Sequence, residues 1–109
     1  MIATGGYPIK PIFPGISFKN VFTLRDSADQ EKIKSAASSA KKVVIIGSGF
    51  IGIELASHLK LAKKEEVEIH IVSSSKIVYE KALGYEVGET IQKLCEANGI
   101  QFNMSASVK

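Results

Sequence analysis

Gly47-Ser48-Gly49-Phe50-Ile51-Gly52 sets three glycines at the spacing G-x-G-x-x-G. Val43-Val44-Ile45-Ile46 runs directly into it, and an apolar pattern of helical period follows. Between a strand and a helix, each glycine of such a turn has a mechanical task. Gly47 lets the chain leave the strand sharply, Gly49 keeps a side chain from standing between backbone and pyrophosphate, and Gly52 lets the helix lie close on the strand. Ala56, four residues on, continues that small surface. The helix start turns free N–H groups and the positive end of its dipole toward the phosphates, with Ser48, Phe50 and Ile51 supplying the backbone between the glycines. The pattern predicts a dinucleotide-binding turn, set against a glycine-rich turn that binds nothing.

A second group lies where the next strand ends. About 20 residues past such a turn, an acidic residue grips the 2′-OH of an adenosine ribose. Here Ser73 stands at that position, followed by Ser74, Ser75 and Lys76, and the first carboxylate beyond is Glu80. Three hydroxyls and a lysine suit a 2′-phosphate, although no arginine fork is present. The same four residues equally suit a solvated loop with no ligand. The first alternative predicts a tilt toward NADPH, or at least a loss of preference for NADH. Glu54 places a carboxylate in the first turn of the helix after Gly52, which the helix dipole favours without any ligand.

Other reactive side chains stand alone. His58 and His70 have no metal-ligand partner at a useful spacing. Cys95 is the single cysteine, so an internal disulfide and a Cys-x-x-Cys redox centre are both excluded. Its helical spacing from Ile91 predicts a buried apolar thiol.

The elements that position these residues follow from periodicity. Val43–Ile46 predicts a strand buried on both faces of a parallel sheet. Phe50–Lys64 predicts a helix with Ile51, Leu55, Ala56 and Leu59 on its inner side, and Val67–Val72 a second strand. Gly84–Asn98 predicts an amphipathic helix with Val87, Ile91, Leu94 and Cys95 inward, ended by Gly99 in the left-handed conformation. Ile100–Met104 predicts a third strand. The order strand, helix, strand, helix, strand implies a Rossmann-type α/β fold, a three-layer βαβαβ unit with a parallel sheet and right-handed crossovers. Upstream, all three prolines (Pro8, Pro11, Pro14) fall before Lys19, which predicts an extended connector. A short strand over Asn20–Leu24 and a helix over Ser27–Ala37, opened by a Ser27/Gln30 capping box, complete the expectation. The implied organisation is a linker over 1–24 and a nucleotide-binding domain over 25–109, cut short after its third strand.

The 109 residues suffice for one domain, and 45% hydrophobic with 23% charged residues is ordinary for a globular chain. A net charge of +3, spread without a basic run, argues against nucleic acid as a partner. No apolar run reaches the ~20 residues of a membrane helix, and no signal peptide is visible.

Two further segments carry a resemblance. Ile2-Ala3-Thr4-Gly5-Gly6-Tyr7-Pro8 with Ile12-Phe13-Pro14-Gly15 resembles the "ATGG-x-P…IPG" segment of the pyridine nucleotide-disulfide oxidoreductase superfamily. Asn20–Arg25, Val43–Glu54 and Leu83–Gly88 are most similar to its ferredoxin-reductase and apoptosis-inducing-factor-like branch. The resemblance implies that the first segment leads from a flavin domain into an inserted NAD(P)H domain. It implies that Glu54 lies near the nicotinamide, and that hydride passes to an FAD held by the remainder of the same protein. An electron-carrier protein, a disulfide or oxygen then takes the electrons. The chain departs from the branch at Ser73, where glutamate is usual.

Three functional classes follow. The first is the NAD(P)H-binding part of an FAD oxidoreductase, inactive by itself. The second is a redox-sensing or signalling protein of the apoptosis-inducing-factor type. A methyltransferase using the same turn for an adenosyl ligand fits worse, because Ser73 supplies no acid for the ribose; an FAD-binding unit fits worse for the same reason.

Overall fold

The computed structural model describes residues 1–63 and 66–109. Seven elements run in the order α1 (Ser27–Ser39), β1 (Lys42–Ile46), α2 (Phe50–Lys63), β2 (Glu68–Val72), α3 (Glu80–Leu83), α4 (Tyr85–Ala97) and β3 (Ile100–Asn103). The chain divides into two compact units, Met1–Ser39 and Ala40–Val108. The last residue of the expected second helix, Lys64, lies outside the described residues.

In the first unit, residues 1–13 form neither helix nor strand, and the connector expected to be extended as far as Lys19 instead turns repeatedly over residues 14–20, where the Phe18 N–H donates to the Gly15 carbonyl at 3.0 Å. Asn20–Leu24 is not a strand: it follows a series of turns and pairs with no other strand, so its backbone has no ladder to join. Nor does Ser27 cap α1. Asp26 is the cap, its Oδ1 accepting the Asp29 N–H at 2.9 Å, while Asp29 reaches back to the Arg25 N–H at 3.1 Å. An aspartate one residue upstream outcompetes the serine because its charged oxygen also meets the helix dipole.

The second unit is built on a parallel sheet in the order β1-β2-β3. Its register pairs Ile45 with Ile71 and Ile71 with Phe102, so Ile45, Ile69, Ile71, Ile100 and Phe102 share one face. That face carries the core. Ile69 and Ile71 are fully buried, and Ala56 of α2 has no exposed surface either. Cys95 of α4 comes within reach of the Ser57 hydroxyl on α2, so both long helices cover this same face. The opposite face is left open: Val44 is 56% and Ile46 49% exposed. The expectation that β1 is buried on both faces is therefore corrected, since this unit supplies one helical layer on its three-stranded sheet.

Two glycines set the rotation of the helices, and this overturns part of the expected inner faces. A Cβ on Gly52 would collide with the Gly47 carbonyl oxygen and meet Ile45 Cγ2 at 3.3 Å. With Gly52 pressed to β1, the positions that follow it inward are Ile53, Ala56 and Leu59, and Ile51 turns out to solvent. In α4, a Cβ on Gly88 would collide with the Val78 carbonyl oxygen and meet Ile77 Cγ2 at 3.0 Å. Gly88 and Cys95 are consequently buried, whereas Val87 and Leu94 are exposed. At the end of α4, Gly99 has φ 80° and donates its N–H to the Glu96 carbonyl at 2.9 Å, the left-handed stop expected of it.

Candidate functional site

β1 ends at Ile46, and Gly47 continues the ladder by donating its N–H to the Val72 carbonyl at 2.8 Å. Its φ of 108° is a conformation that side chains rarely adopt, which is why the chain turns here on glycine. Three residues later α2 begins, and the Gly49 carbonyl already accepts the Ile53 N–H at 3.1 Å. Around the Cβ direction of Gly49 there is open space to 4 Å. The turn therefore presents bare backbone outward at Gly49 and closes tightly inward at Gly52.

Beneath the turn lies a buried polar contact. The Ser48 hydroxyl donates to the Ser73 hydroxyl at 2.8 Å, and the Ser73 oxygen also accepts the Ser75 N–H at 3.2 Å. Both serines are buried. The loop after β2 is stitched to the chain after β3, with Ala106 donating to the Ser73 carbonyl and Ser105 to the Ser75 carbonyl, each at 2.9 Å.

A third segment closes the site. Tyr79 donates its N–H to the Ser48 carbonyl at 3.1 Å, adopts a left-handed φ of 53°, and stacks its ring on Phe50 with centroids 4.6 Å apart. Burial pushes its phenol above the ordinary value, and the negative charges of Glu54 and Cys95 add to this. Behind it, α3 carries Glu80 and Lys81. Glu80 folds back, and its Oε2 accepts the Lys76 N–H at 2.9 Å.

These three segments enclose an open pocket of ≈ 260 Å³. Of the residues singled out from sequence, Gly47, Ser48, Gly49, Phe50 and Ser73 line it. Ile51 and Gly52 lie in α2 behind it, and Glu54 one step further along the same helix. Ser74 and Lys76 are exposed and stand outside the lining. Ser75, the third hydroxyl of the serine run, lines it as well, whereas Tyr79, Glu80, Lys81 and Ala82 line it without having been singled out. Glu80 had one visible signal, as the first carboxylate after the serine run. Tyr79 had none, because neither its left-handed backbone nor its stacking on Phe50 shows in residue type. No group of three or more His, Cys, Asp or Glu capable of holding a metal occurs among the described residues. No helix among them is long and apolar enough to cross a membrane.

Chemically, the pocket offers backbone N–H groups at a helix start, a bare glycine for close approach, one carboxylate and one ammonium. It suits a polyphosphate linked to hydroxylated sugars. The family model described as pyridine nucleotide-disulphide oxidoreductase matches residues 1–109. The chain belongs to that family. Among relatives of this oxidoreductase segment, apoptosis-inducing factor 3 of Homo sapiens is 29% identical over 99% of this chain and 17% of its own length. Of solved structures, a NAD-dependent persulfide reductase from A. fulgidus is 31% identical with a TM-score of 0.83, over 94% of this chain and 19% of that one. A water-forming NADH oxidase from Lactobacillus brevis, solved bound to NADH, shares the fold with a TM-score of 0.87 at 24% identity, over 94% of this chain and 22% of that one. The chain thus spans less than a quarter of the length of each, and its Rossmann-type α/β fold is that of the family's oxidoreductases.

Proposed function

We propose that this chain is the NAD(P)H-binding part of an FAD-dependent oxidoreductase and delivers hydride to a flavin held by the remainder of that protein. The carrying observation is the bare backbone at Gly49, open to 4 Å, beside the start of α2 and across from Ser73 and Ser75. A pyrophosphate set there meets the N–H groups that begin α2 and the positive end of its dipole. Gly47 and Gly52 fix the turn, and the buried Ser48–Ser73 contact holds it at a set distance from the end of β2. When bound, the dihydronicotinamide supplies the hydride. The residues of this chain bind and orient the dinucleotide. An electron-carrier protein as the final acceptor accords with a relative named as the ferredoxin–NAD(+) reductase component of a biphenyl dioxygenase system, 27% identical over 97% of this chain.

The test has two parts. The purified chain should be colourless and should leave NADH and NADPH unoxidised. In a flavoprotein containing this segment, NADH should bleach the flavin band, and Gly49→Val should slow that bleaching severely. Bleaching at the wild-type rate in the variant would remove this turn from the hydride path.

A further inference from the structure

We propose that Glu80, rather than any group at the end of β2, selects between dinucleotides, favouring one whose adenosine ribose is free over one bearing a 2′-phosphate. The proposal rests on the pocket being a nicotinamide-dinucleotide site. Its starting point is what the end of β2 lacks. Ser73 is neutral and buried, and its hydroxyl oxygen already accepts from both Ser48 and Ser75. Ser74 and Lys76 are exposed and stand outside the pocket lining, and the loop brings no acid of its own to the ribose.

The charge arrives from α3 instead. Glu80 lines the pocket with Ser73 and Ser75, and its Oε2 is held 2.9 Å from the Lys76 backbone nitrogen. That bond places the carboxylate at the far end of the serine loop, and in dinucleotide folds of this kind the end of β2 is where an adenosine ribose is held. It uses one acceptor position and leaves the rest of the carboxylate to take hydrogen bonds from sugar hydroxyls. The same carboxylate faces a 2′-phosphate with like charge.

Lys81 also lines the pocket but does not cancel this selection. Neighbouring residues on a helix point about 100° apart, so the ammonium and the carboxylate address different parts of a ligand. An ammonium attracts the pyrophosphate that both cofactors share, whereas the carboxylate acts on the one group that distinguishes them. Glu80 is also the more fixed of the two, being half-buried and bonded to backbone while Lys81 is exposed.

The experiment titrates the chain with NADH, NADPH and ADP-ribose, following cofactor fluorescence for the first two and calorimetry for all three. Wild type should bind NADH about tenfold more tightly than NADPH, a difference that added salt narrows. Glu80→Gln keeps an acceptor for the Lys76 N–H and should bring the two affinities close together, chiefly by a gain for NADPH. Glu80→Arg should reverse the order. Equal affinities in wild type, or an unchanged ratio in Glu80→Gln, overturns the role of Glu80 while leaving the pocket as a nucleotide site. Failure of wild type to bind all three ligands overturns the site and the role of Glu80 with it.

Discussion

The Ser48 and Ser73 hydroxyls meet at 2.8 Å, each buried, and join the glycine turn after β1 to the loop after β2. The two residues are separated by 25 positions in sequence and lie at the ends of adjacent parallel strands. Their contact fixes the spacing between the glycine turn and the loop after β2.

Removing it should cost stability in an asymmetric way. Ser48→Ala leaves the Ser73 oxygen still accepting from Ser75, so the loss is that of one hydrogen bond, about 1 kcal/mol. Ser73→Ala strands the buried Ser48 hydroxyl and the part-buried Ser75 N–H, and should cost about 1–3 kcal/mol. Thermal melts should rank the variants in that order, at roughly 4–8 °C per kcal/mol for a domain of this size. A Ser73→Ala melt above that of Ser48→Ala contradicts the assignment of Ser73 as the double acceptor.

Gly52 and Gly88 should resist even alanine. At both positions a Cβ collides with a backbone carbonyl oxygen, which cannot swing aside as a side chain can. Overpacking of this kind costs about 1–3 kcal/mol. Chemical denaturation of Gly52→Ala and Gly88→Ala should show losses in that range; a midpoint within error of wild type for either would show that the helix shifts freely on the sheet.

Alkaline pH should weaken the fold through Cys95. Burial raises its thiol above the ordinary 9.0, opposed by a hydrogen bond from Ser57 and aided by the charge of Glu96. The folded chain therefore holds the proton more tightly than the unfolded one. Its stabilising contribution is complete below the ordinary value and is lost as pH climbs from there through the raised one. Urea unfolding should show stability falling above 9.0, less steeply in Cys95→Ala. An equal slope in both places the alkaline loss elsewhere, with Tyr79 the next group to titrate, since it too is raised above its ordinary 10.0.

Much of this was legible in the residues. The run Val43–Ile46, the glycine spacing and the stop at Gly99 each have a local cause, so strand, turn and helix end fell within a residue or so of expectation. What local pattern does not encode is the rotation of a helix about its axis. Ile51, Val87 and Leu94 belong to apolar stripes that look inward on a wheel, yet the close approach of Gly52 and Gly88 turns them out. The pocket wall from Tyr79 to Ala82 was hidden for a different reason. It is tied to the turn at Tyr79, whose N–H donates to the Ser48 carbonyl and whose backbone is left-handed, and the residue type carries no sign of that conformation. The cap of α1 was one residue off because two neighbouring residues, Asp26 and Ser27, both qualify by type.

The central claim is that a nicotinamide dinucleotide lies across the bare backbone at Gly49. Titrating NADH into wild type and Gly49→Val, with melting temperature measured alongside, tests it most directly. The Cβ direction of Gly49 is open, so valine should leave the melt close to wild type while filling the space the pyrophosphate needs. Wild type should show saturable binding, weaker than in a complete flavoprotein, and the variant none. A folded Gly49→Val that binds NADH as tightly as wild type would falsify the claim.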